Sequence, residues 1–116
     1  MYLTIILGLF FLSCSNSNSD RDYFIQSFKK ELNVDVPHNF SVLSSKHGFA
    51  IGDSYKDVKI QYDAQNFDLF VNAFHKDSVK YMEKTGCYQK NISVNETFDI
   101  CIDPKKFTVF LSYTEI

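Results

Sequence analysis

Apolar positions recur along the chain with two different periods, and the changes of period divide it into elements. Phe24, Phe28 and Leu32 stand four residues apart, joined by Ile25, with polar and charged residues filling much of the interval. That spacing predicts an amphipathic helix. Ser19 or Asp20 suits its N-cap, Asp22 in the first turn complements the helix dipole, and Lys29, Lys30 and Asn33 suit its end. Val34-Asp35-Val36-Pro37 then reads as an extended connector. Phe40, Val42 and Ser44 alternate with Ser41 and Leu43, predicting a strand from Asn39 to about Lys46. Gly48 and Gly52-Asp53 bracket Phe49-Ala50-Ile51, which reads as a long turn. Val58, Ile60 and Tyr62 alternate with Lys59 and Gln61 in a half-buried strand. Asp63 can cap a second helix, in which Phe67, Phe70, Val71 and Phe74 share a face. Residues 78–85 follow neither period cleanly. They fit an extension of that helix, a short helix capped by Asp77 and ended at Gly86, or a strand.

The last third alternates with period two throughout. Cys87 to Ile92 is one strand, Ser93-Val94-Asn95 a turn, and Glu96 to Asp103 the next strand, with Phe98, Ile100 and Ile102 on one face. Asp103-Pro104-Lys105 turns again into a strand carrying Phe107, Val109, Leu111 and Tyr113. Pairing about Val94 brings residue 88 opposite 100 and Cys87 opposite Cys101, within the reach of a disulfide. Two buried free thiols are the alternative. Such a bridge would lie on the face away from Phe98 and Ile100, partly exposed.

The order α-β-β-α-β-β-β predicts an α+β fold: one antiparallel sheet of about five strands with two helices on one face. The other face would carry Lys59, Gln61, Thr97, Asp99, Thr108 and Ser112, with Phe110 as its one aromatic exception.

Ahead of all this stands an uncharged apolar run, Tyr2 to Leu12, followed by Ser13-Cys14 and the polar stretch Ser15-Asn16-Ser17-Asn18-Ser19. The run has the length of a signal-peptide core and is well short of the roughly 20 residues that span a bilayer. The pattern resembles a bacterial lipoprotein signal, and the loose lipobox and Asn/Lys/Phe/Tyr-rich composition look like those of Bacteroidota. The resemblance covers residues 1–19 alone. It implies a signal peptide over 1–13, cleavage before Cys14, and lipid (diacylglyceryl and palmitate-type chains) on Cys14. It also implies a flexible tether over 14–19 and a single domain over 20–116. Several acyl chains anchor firmly, at about 0.8 kcal/mol per buried CH₂. Ser15 resembles an outer-membrane sorting residue, which implies a cell-envelope location on the periplasmic face or the cell surface. An ordinary cleaved signal peptide, with Cys14 incidental, is the alternative.

Composition narrows the function classes. Every charged side chain lies beyond the apolar run, and the formal net charge is −2, so no basic surface for nucleic acid is expected. Twelve Phe and seven Tyr, without Trp, supply an aromatic core. An exported chain whose third cysteine carries lipid leaves Cys87 and Cys101 as an even pair, which reads as a disulfide.

Candidate chemistry is sparse. His38, His47 and His75 stand in no metal-binding spacing, the serines lack a nucleophile elbow, and lipid plus disulfide consume the thiols. Asp53, Asp57 and Asp63 are the nearest thing to paired carboxylates, but a turn, an exposed site and a helix cap account for them. Lys76, Lys80 and Lys84 would form a basic stripe if helix ran through them. No catalytic, metal or cofactor residue is assigned. The expectation is a non-enzymatic binding module of accessory, inhibitor or immunity type, held to the membrane by lipid and facing a protein partner through a sheet face or edge strand. The alternatives are an envelope hydrolase or metal-dependent enzyme built from scattered Asp, His and Tyr, and a structural component of a surface assembly.

Overall fold

A computed structural model describes residues 19–50, 53–74 and 76–116. Helix α1 covers residues 19–32 and helix α2 Ala64–Ala73. The strands are β1 (Ser41–Ala50), β2 (Asp53–Gln61), β3 (Lys80–Met82), β4 (Cys87–Asn91), β5 (Glu96–Asp103) and β6 (Thr108–Glu115). They form one antiparallel sheet in the order β1-β2-β6-β5-β4-β3. The architecture is the expected α+β class, with six strands rather than about five.

The extra strand is β3, which settles residues 78–85. A single 3₁₀ turn at Lys76–Ser78 leads into three residues that pair with β4. Phe74, extended at the C-cap, ends α2, and Gly86, with φ 71, turns the chain between β3 and β4. The basic stripe is therefore not formed: Lys76 lies in the 3₁₀ turn, Lys80 in β3 and Lys84 in the turn after it.

The second correction concerns the Gly48 region. The strand expected to stop near Lys46 continues through Phe49 to Ala50, which pairs with Asp53. A glycine that reads as punctuation in sequence sits inside a strand, opposite Tyr55. A Cβ there would come within 2.6 Å of the Tyr55 ring, so the bare backbone lets the aromatic lie across the pair. Ile51 and Gly52 fall outside the described residues. A bulge between Val42 and Ser44 shifts the start of β1.

Other elements follow their local signals. Asp63 caps α2, its carboxylate accepting from the Asn66 amide at 2.8 Å. Asn33, at φ 54, closes α1, and the amides of Asn33 and Val34 reach back to the carbonyls of Lys29 and Phe28. Phe107, assigned by period to the last strand, instead occupies the turn before it, at φ 57.

The chain returns on itself through β6. From β2, α2 carries it across one sheet face toward the far edge, and β3 to β6 then step back until β6 lies against β2. The core forms where α1 and α2 meet that face. Phe24, Phe28 and Phe70 are buried against Val58, Ile60, Ile100, Val109 and Leu111, which the register places on the same side. The aromatic rings interlock edge to face: Phe28 stands 5.5 Å from Phe70 and Phe40 5.4 Å from Tyr62. Arg21 ties α1 to the connector, donating to the carbonyls of His38 and Phe40 while its guanidinium covers the Phe40 ring. The Tyr62 hydroxyl donates to the Pro37 carbonyl at 2.8 Å.

Candidate functional site

The helices leave part of their sheet face uncovered. Beyond Val58 and Leu111 the same face continues as Lys56, Ser54, Tyr113, His47 and Phe49, none of them buried. With one side of α1 this bare end encloses an open groove of about 620 Å³. Tyr23, Gln26, Ser27, Lys30 and Glu31 line its helix wall, spaced as one helix face requires. The cross-strand pairs His47–Lys56 and Phe49–Ser54 line its β1–β2 side. Phe98 and Tyr113, with ring centroids 5.3 Å apart, form part of its floor beside Glu96 and Ile92. Phe49 is 87% exposed. Its ring leaves a large apolar surface open to water along the groove lining.

Two polar arrangements organise the groove. The Tyr113 hydroxyl lies 2.7 Å from Glu96 Oε2 and 3.4 Å from the Glu115 carboxylate, and the Ser93 hydroxyl stands 3.0 Å from Glu96 Oε1. The Tyr113 bond, then the Ser93 bond, hold the Glu96 carboxyl below its ordinary range, and the Lys30 charge adds to the effect. The same Glu96 bond is the main reason the Tyr113 phenol is pushed well above its ordinary value. Across the groove, Lys56 Nζ lies 4.1 Å from the centre of the Tyr23 ring, a cation–π contact. Tyr23 Oη is buried with no hydrogen bond of ordinary geometry among the described residues. Burial raises its pKa, Asp57 adds to the rise, and the neighbouring Ser27 side chain opposes it.

The expected site residues fall in three places. Cys14 lies outside the described residues. Cys87 and Cys101 form the disulfide, with Cα atoms 4.4 Å apart, in the register expected about Val94. The bridge is on the face away from the helices. There Phe110, opposite Cys101, is half-buried and shares a shallow concavity with both cysteines, Pro104 and Thr108. The aromatic exception on that face is thereby placed beside the sulfurs.

The candidate chemical groups do not converge. His47 lines the groove, His38 is exposed on the connector, and His75 lies outside the described residues. Among the described residues no three His, Cys, Asp or Glu side chains gather as a metal ion would need. Asp57 accepts from the Ser112 hydroxyl at 2.6 Å on the polar face, and Asp63 caps α2. Tyr23, Glu96 and Tyr113 were not singled out by sequence, and Phe49 was read only as a turn residue. A usable signal existed: Glu96 and Tyr113 continue the inward period of Phe98 and Leu111 but replace aliphatic residues with polar or amphipathic ones.

No protein-family model matches the chain, and neither a curated protein nor a solved structure is similar to it.

Proposed function

We propose that the protein is a non-enzymatic binding module of the bacterial cell envelope, anchored by lipid on Cys14, that engages a protein partner through the groove beside α1. The observation that carries this reading is the groove itself, an open concavity walled by Tyr23, Phe49, Phe98 and Tyr113 with Phe49 87% exposed. Aromatic side chains of this kind supply much of the energy of protein contacts, and a polar rim such as Lys30, Glu31 and Lys56 orients them. The disulfide braces the sheet on the opposite face. An accessory, inhibitor or immunity role suits a small tethered domain with one such surface.

The test is site-specific photo-crosslinking in the cell that makes the protein. A crosslinker at Phe49 is expected to trap one discrete partner, and one at Thr97, on the polar face, is not. Equal trapping from both sites, or none from Phe49, rejects the reading. A hydrolase is the second reading, favoured by His47, Glu31, Glu96 and Tyr113 lining one groove. It requires turnover that Glu96→Gln abolishes with the fold intact.

A further inference from the structure

We propose that the free edge of β1 accepts an extended, amphipathic acidic strand from the partner, adding a seventh strand beside the groove; this rests on the binding reading above. The two edges of the sheet are unequal. β3 offers three residues and β1 ten. Bonding phase identifies which β1 groups are free. The Tyr62 amide donates to the Phe107 carbonyl at 3.0 Å, so Ile60, Val58 and Lys56 bond β6, while Lys59, Asp57 and Tyr55 bond β1. Ser44, Lys46 and Gly48 therefore point their backbone groups inward. Ser45, His47 and Phe49 point theirs outward, where no described residue meets them. Their side chains lie on the groove face.

That geometry dictates the visiting strand. Residues bonded to Ser45, His47 and Phe49 set their own side chains on the groove face, beside exposed Phe49, and should be apolar. The alternate residues face the side of Lys46, whose cross-strand neighbour Asp57 accepts from the Ser112 hydroxyl on its inner side; Lys46 forms no ion pair among the described residues, and β1 itself carries no acid between Ser41 and Ala50. Those should be acidic. A second copy would present another Lys46 and no acid, so charge disfavours pairing of two β1 edges. The bulge at Val42–Ser44 and Lys46 guard the edge against unselected strands and leave residues 45–50 regular.

The test measures fluorescence anisotropy of the full chain in detergent micelles with the labelled probe Thr-Val-Glu-Val-Glu-Val-Thr. Binding should exceed that of the lysine-for-glutamate probe by about tenfold. N-methylation of the valines should abolish it, and N-methylation of the glutamates should not. His47→Pro removes an outward N–H that no described residue uses. It should leave the melting temperature nearly unchanged and eliminate binding. Lys46→Glu should invert the charge preference. No binding at about 1 mM, equal binding of both charge types, or indifference to valine methylation overturns the proposal. So does a chain that self-associates through β1 and loses this with His47→Pro. Crosslinking from Phe49 that survives His47→Pro would remove strand addition and leave the groove reading in place.

Discussion

At the scale of single residues, Phe28 and Glu96 carry opposite kinds of information. Phe28 is 1% exposed and its ring contacts those of Phe24, Phe70 and Phe74, so it joins both helices to one core. Phe28→Ala should cost about 3–5 kcal/mol in a denaturant melt, since the surrounding rings cannot close the space without losing their edge-to-face geometry. Glu96 is a surface group whose carboxylate form is held by Tyr113 and Ser93. Its pKa is lowered in the fold, so its contribution is present above the unfolded carboxyl value and is lost as pH falls through the folded one. Glu96→Gln should flatten the acid side of the stability–pH curve and leave the neutral side parallel to the parent. The Tyr113 phenol shifts the other way, and its contribution is lost only as pH rises through the raised value. An acid limb unchanged by Glu96→Gln would contradict the bonding described for the groove.

At the scale of elements, the disulfide acts on one hairpin. Cys87 and Cys101, 14 residues apart, close β4 onto β5. In the chain-entropy account a loop of that length stabilises by about 3 kcal/mol. Reduction, or Cys87→Ser, should therefore lower stability by up to about 3 kcal/mol. Hydrogen exchange should quicken first in β3 and β4, which carry no buried aliphatic residue such as Val58 and Ile60 in β2 or Val109 and Leu111 in β6. Exchange that rises equally in α1 would show the core, not the hairpin, to be the part the bridge supports. The register behind this disulfide was legible because the turn at Ser93–Asn95 and the alternation on both sides allow one pairing in which apolar residues share a face. The β1–β2 hairpin was not legible to the same degree. Gly48 carries no side-chain period, and its reason for being glycine is the Tyr55 ring from the neighbouring strand.

At the scale of the whole molecule, the groove and the anchor are separate matters. The anchor belongs to residues 1–19 and is a proposal from their pattern alone. Cys14→Ala should leave an unprocessed precursor and abolish fatty-acid labelling, with the melting temperature of the folded part unchanged. Persistent labelling would remove Cys14 as the acylated residue and, with it, the anchoring claim. The groove arises from a mismatch of lengths. α1 and α2 cover the end of the sheet where Ile60, Val109 and Ile100 lie, and the strands run on beyond them to Ala50, Asp53 and Glu115. Only an assembled fold has an uncovered end.

The sequence alone therefore determined what depends on neighbours within a few residues. Those features are the two helices and their caps at Asp63 and Asn33, the alternating strands, and the Cys87–Cys101 register. Each follows from periodicity, turn chemistry or capping, whose physics is local. The tertiary structure decided what depends on residues far apart in the chain. It placed β6 between β2 and β5, and it carried β1 through Gly48 under the Tyr55 ring. It assigned residues 80–82 to a sheet edge, and it gathered Tyr23, His47, Phe49, Glu96 and Tyr113 around one groove. Those outcomes rest on pairing and burial between distant segments, and no local pattern carries that information.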